Sequence, residues 1–163
     1  MREATLRVVP VGSEREAYLP LFQLADDSVE QVAGYYQSGT LFALDAPDGT
    51  AMGIVLALDG SGDAAELKAV AVDESLHGQG VGTRMLRSAL RELRARGVRR
   101  VVVGTSSAGI GQLAYYQKAG FRLASIERDF FTAARGYADD LQENGIPVRD
   151  MVWMDLELAR LPA

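Results

Sequence analysis

Cysteine is absent from the 163 residues, and histidine occurs once, as His77. The first absence excludes disulfides, thiolate nucleophiles and cysteine-built metal sites. The second leaves too few imidazoles for a histidine-built metal centre or a serine–histidine triad, so no metal is expected. Positive charge is also scarce. Lys and Arg number 17 against 22 Asp and Glu, giving a net charge of −5 and a pI near 4.9. Nucleic acid is a poor partner for such a chain, because its phosphates require clustered cations. A cationic small molecule suits it better. Long apolar runs are missing as well. No stretch reaches the ~18 apolar residues of a membrane span, and "MREATLRVVPVGSERE" has no apolar leader core. No membrane partner is expected, and a cytoplasmic protein is the default expectation.

What is present is ordinary for a globular chain: 48% apolar and 24% charged residues, enough for one domain over 1–163. "TLRVV" (5–9) reads as a strand. "GSEREAYLPLFQLA" reads as a helix, with Ser13 and Glu16 as a capping box and a kink or new turn at Pro20. Residues 26–39 read as a second helix capped by Asp27 or Ser28. "TLFALD" and "TAMGIVLALD" flank Asp48-Gly49, a hairpin signal. Residues 65–72 form a further strand. Val81, Met85, Leu86, Ala89, Leu90 and Leu93 share one helical face, ending at Gly97. A strand (99–105), a helix (107–120), a strand (121–127), a polar connection (129–145) and a last strand (146–158) complete the chain. Hairpins mixed with crossovers predict an α/β fold with one mixed sheet and helices on its faces.

The stretch "ESLHGQGVGTRML" (74–86) carries the chemistry. A strand that runs into alternate glycines and then a helix is a recipe for binding phosphate. The helix start offers unpaired N–H groups and partial positive charge, and glycines let those amides close on an anion. A tight strand-to-helix turn with no ligand is the alternative. The dinucleotide fingerprint needs G-x-G-x-x-G and the phosphate loop of NTPases needs a Lys after its last Gly; neither spacing is met.

His77-Gly78-Gln79-Gly80-Val81-Gly82 resembles the Q/R-x-x-G-x-G/A signature of the GCN5-related N-acetyltransferases, with His77 in place of the usual Gln or Arg. A second signature follows: "AYYQKAGF" (114–121) is similar to the family's A-x-x-Y-x-x-x-GF pattern. Residues 50–128 carry the resemblance best. It implies a single-domain fold whose mostly antiparallel sheet has about seven strands, helices on both faces, and its fourth and fifth strands splayed apart. It implies acetyl-CoA as co-substrate and an N-acetyltransferase that moves acetyl to a primary amine by direct attack in a ternary complex. The acceptor is a small-molecule or peptide amine. A homodimer through sheet edges or the last strands is compatible with the fold. The rival from another class is a non-catalytic acyl-CoA-binding or regulatory module.

By the same resemblance the backbone of Val70, Ala71 and Val72 pairs with pantetheine as an added strand. The segment His77, Gly78, Gln79, Gly80, Val81, Gly82 and Thr83 cradles the pyrophosphate. Ser106 or Ser107 bonds the cofactor where many members hold Asn. Glu66 stands at the offset of the general base in histone-modifying members, and a half-buried carboxylate can take a proton directly or through water. An exposed strand glutamate is the alternative. Tyr116 stands where members hold the general acid that protonates the thiolate; a core aromatic is the alternative. Tyr115 reads as packing. Arg84 and Arg87 either approach the 3′-phosphate of coenzyme A or form a solvated helix face. Asp129, Asp139, Asp140 and Glu143 read as a solvated loop, or else as an acidic wall over the acceptor cleft.

Overall fold

The computed structural model describes residues 4–162. The chain opens with β1 (Arg7–Val9), a 3-10 turn at Ser13–Tyr18, α1 (Leu19–Ala25) and α2 (Val29–Tyr35). The predicted capping box does not form: the turn at Ser13 has no side-chain cap. The helical stretch divides beside Pro20 into the 3-10 turn and α1, the new turn expected there, because Pro20 has no N–H to continue the ladder. In the first turn of α1 that N–H is not needed. Ser28, rather than Asp27, caps α2 by accepting from the amide of Gln31. Arg15 is buried here, and its guanidinium donates to the carbonyls of Val9, Tyr36, Ser38 and Gly39.

A meander follows: β2 (Thr40–Asp45), β3 (Ala51–Asp59) and β4 (Ala64–Val72). Then α3 (Val81–Ala95) crosses over to β5 (Arg100–Ser106), α4 (Ile110–Lys118) and β6 (Arg122–Glu127). The expected final strand is divided. Ile146–Pro147 (β8) pairs with Gln142–Glu143 (β7) in a small hairpin, and only Met151–Glu157 (β9) enters the main sheet. Asn144 and Gly145 turn that hairpin with φ of 53° and 72°. Positive φ at both central positions is the hallmark of the tight turn that Asn-Gly favours.

The main sheet has seven strands in the order β1-β2-β3-β4-β5-β9-β6. Among the described residues only β4 and β5 are parallel; β9 inserts between β5 and β6, antiparallel to both. Helices cover both faces. Phe22, Val32 and Tyr35 from α1 and α2 pack on Leu41, Ile54 and Leu56. Met85, Leu86, Leu90 and Leu93 from α3 pack on Val55, Leu67, Val101 and Met154 on the other face.

Two features of β4 open the sheet. Leu56 faces Ala69 and Ala57 faces Leu67, so Lys68 is an extra residue in a β-bulge. A bulge bends its strand and re-aims the side chains beyond it. Leu67 accordingly joins the α3 core, whereas Ala69 joins the α1/α2 core. Pairing with β5 ends at Leu67↔Val103, while β5 continues along β9 to Ser106. The two central strands thus part, as the expected fold requires.

Candidate active site

The parted strands lead into two adjoining cavities. The first, of about 720 Å³, runs from Val70–Val72 along the glycine loop to the start of α3 and the side of α4. The second, of about 280 Å³, lies between β4, β5, the end of α1 and the 129–148 segment. Leu24, Val70, Gln112 and Tyr116 line both.

The first cavity is built from backbone. Gly78 and Gly80 have φ of 77° and 74°, and Gly80 is the residue from which α3 starts, with no side-chain cap. An L side chain is strained in that region. The first helical bond runs from the Arg84 amide to the Gly80 carbonyl, so the amides of Val81, Gly82 and Thr83 have no partner within the helix. They carry the positive end of a 15-residue helix into the cavity. On β4, the Asp73 amide donates to Met52 of β3. Alternation along an antiparallel strand therefore turns the peptide groups of Val72 and Val70 toward the parted edge. His77 Nε2 lies 2.9 Å from the Val72 carbonyl. A carbonyl only accepts, so Nε2 carries the proton. Gln79 turns back to the Ser75 carbonyl (3.1 Å) and is absent from the cavity lining.

Tyr115 is more than packing. Its hydroxyl donates to the Gly82 carbonyl at 2.7 Å, tying α4 to the start of α3. Tyr116 is 6% exposed, edge-on to Tyr115 and Phe121. Its hydroxyl has no hydrogen-bond partner among the described residues. Burial pushes the phenol well above its ordinary range, so it is protonated at neutral pH.

The second cavity is built from side chains. Glu66 lines it, with Lys68 Nζ 4.0 Å from its carboxylate. Ser106 lines it too, but its Oγ is already engaged by the Ala108 amide (3.1 Å); Ser107 lines neither cavity. Neither Arg84 nor Arg87 lines the glycine-loop cavity, and Arg87 borders a separate 350 Å³ groove between α3 and α4.

The 129–145 connection is solvated only in part. Phe130, Phe131 and Tyr137 pack edge-to-face with one another and with Trp153 over the cavity. Tyr137 donates to Asp26 at the α1–α2 junction (2.9 Å), and Gln31 Nε2 donates to the Arg135 carbonyl (3.1 Å). Asn144 Nδ2 pins the hairpin to the Ala108 carbonyl (2.9 Å). Asp129, Asp139 and Asp140 stay exposed outside the cavity, whereas Glu143 lines it together with Asp26 and Asp27. The Asn-Gly pair was the sequence signal that could have placed Glu143. Nothing in sequence spacing joins it to Asp27.

Residues 11–121 match the model of the acetyltransferase (GNAT) family. The chain belongs to the GNAT family of acetyltransferases. YvbK, an uncharacterized N-acetyltransferase of Bacillus subtilis, is 37% identical over 151 residues, 92% of this chain and 96% of that protein. Among solved GNAT-like structures, a Bacillus subtilis acetyltransferase in complex with CoA superposes with a TM-score of 0.81 at 33% identity, covering 94% of this chain and 99% of the other. A GNAT acetyltransferase of Elizabethkingia anophelis with acetyl-CoA bound gives a TM-score of 0.84 at 29% identity, covering 94% and 97%. This GNAT protein is an N-acetyltransferase. Among its described residues no helix is long and apolar enough to cross a membrane.

Proposed function

We propose that the chain transfers acetyl from acetyl-CoA to a primary amine by direct attack in a ternary complex. The observation that carries this reading is Tyr116, a buried phenol without a hydrogen-bond partner among the described residues, which lines both cavities. In this reading the amides of Gly78 to Thr83 hold the pyrophosphate, with the helix dipole behind them. The freed edge from Val70 to Val72 takes the pantetheine arm as a strand through the peptide groups of Val70 and Val72, those of Ala71 being turned to β3, with Ser106 at the far side of the opening. Acetyl-CoA supplies the thioester whose carbonyl carbon the amine attacks. A carbon–nitrogen bond forms and the carbon–sulfur bond breaks. Glu66 accepts the proton lost from nitrogen, directly or through water. Peptide N–H groups on the β4 edge stabilise negative charge on the oxygen. Tyr116 gives its proton to the departing thiolate and is restored from solvent.

Thermal unfolding with acetyl-CoA, coenzyme A, ATP and NAD tests the ligand. At about 100 times its Kd a ligand stabilises by roughly 2.7 kcal/mol. A rise with the two coenzyme A species alone is expected, followed by sequential kinetics with an amine. No rise with either, or a rise with ATP or NAD instead, sinks the reading.

A further inference from the structure

Two carboxylates of the acceptor cavity are engaged neither by the chemistry above nor by a partner among the described residues. Asp26 is satisfied by the hydroxyls of Tyr35 and Tyr137 and by the Ser28 amide, and Glu66 has Lys68. Asp27 and Glu143 have neither a hydrogen bond nor a cation among the described residues. Burial pushes both carboxyls upward, with Asp26 adding to the effect on Asp27 and Asp27 to that on Glu143. The start of α4 lies close to Glu143, whose Oε2 would be 3.4 Å from a Cβ at Gly109, yet that partial charge does not undo the shift. The two acids come from distant parts of the chain, and Asn144 and Tyr137 hold the elements that bring them together. Such a pair is costly unless a cation joins it.

A second observation is independent of this charge. Tyr116, buried and with no hydrogen-bond partner for its hydroxyl among the described residues, lines the same cavity. It also faces the first cavity, whereas Asp27 and Glu143 line only the second. The space therefore has a proton donor that reaches both cavities and unbalanced carboxylates that line the second alone. Phe131 and Trp153 supply apolar wall and ring faces that attract cations; Phe130 adds apolar wall, with the Arg135 guanidinium over its ring at 4.1 Å. At about 280 Å³ the cavity suits a small acceptor.

We infer that the acceptor is a small aliphatic diamine or polyamine. One nitrogen reacts beside Tyr116 while a second, still an ammonium, rests between Asp27 and Glu143. This rests on the acetyl-transfer reading. The test compares 1,4-diaminobutane with n-butylamine, the same carbon chain lacking one amine, at saturating acetyl-CoA. The kcat/KM for the diamine should exceed that for the monoamine by roughly tenfold or more. In the double variant Asp27→Asn/Glu143→Gln the ratio should fall toward one, and Glu143→Asp should retain part of it. Equal use of both amines by the wild type, or a ratio that survives in the double variant, overturns the inference. Calorimetric binding of 1,4-diaminobutane to the coenzyme A complex reads the same preference without turnover, and no binding there overturns it as well. Coenzyme A stabilisation measured on the same samples shows separately whether the acetyl-transfer reading stands. Asp27→Asn and Glu143→Gln each remove a like charge, so the double variant should melt no lower than the wild type.

Discussion

The two cavities are made of different material. The larger is framed mainly by backbone from the stretch Val70 to Thr83, where glycines and a helix start do the work of side chains, with Leu24 and one side of α4 closing it. The smaller is framed by side chains from both ends of the chain, from Leu24 to Trp153. A backbone site recognises a feature common to many ligands, such as a pyrophosphate or an amide. A side-chain site recognises what is particular to one. The difference predicts that substitution should act oppositely on the two: side-chain changes should be tolerated on the first, and backbone changes should not.

The largest effect is expected where the cavities meet. Tyr116→Phe should lower kcat by about 100-fold, the scale of a lost general acid, with coenzyme A affinity little changed. Because the hydroxyl has no partner, its removal should leave the melting temperature nearly unaltered. A phenylalanine variant with wild-type kcat would reduce Tyr116 to a core aromatic and leave the junction without its acid.

The next effect separates backbone from side chain directly. Gly80→Val places a β-branched residue at φ 74° and should weaken coenzyme A by more than tenfold, at a strain of roughly 1–3 kcal/mol. His77→Ala and Gln79→Ala, on the same loop, should each change affinity by only a few-fold. If the His77 and Gln79 variants lost as much as Gly80→Val, the cradle would be a side-chain site after all. A smaller loss is expected for Tyr115→Phe, which removes the bond to the Gly82 carbonyl. At about 1 kcal/mol for such a bond, the KM for acetyl-CoA should rise roughly fivefold with kcat largely kept. An unchanged KM would confine Tyr115 to packing.

The same contrast explains what was legible in the sequence. The glycine loop, the α3 face from Val81 to Leu93 and the Tyr116 motif are local patterns, each read within one element, and the family is evident from them. The second cavity has no such pattern. Asp27 was visible only as a helix cap, although Ser28 holds that position. Tyr137 and Phe131 sat in a connection whose Asp and Glu content suggested solvent, and their packing depends on contacts with α1 and α2. The bulge at Lys68 leaves no mark in a strand of alternating character, yet it moves Leu67 and Ala69 to opposite cores. Long-range register, not propensity, decides each of these.

The smallest effect tests the side-chain cavity in its empty state. Glu143 has a carboxyl raised above its ordinary 4.5, first by burial and then by Asp27. The folded protein therefore binds a proton at this group more tightly than the unfolded chain does. No penalty exists well below pH 4.5; it accrues as pH rises through the raised value and is complete at neutral pH. The Glu143→Gln variant carries no charge and so escapes this penalty. Its melting temperature should exceed that of the wild type by about 1–2 °C at pH 7, the scale of a partly solvated like-charge contact. The gap should close as the pH is lowered past 4.5. A bound diamine should close it at pH 7 as well, because the ammonium stabilises the wild type and has less to hold it in the variant. A gap that ignores both pH and diamine would mean that Glu143 acts through the packing of its hairpin and not through its charge.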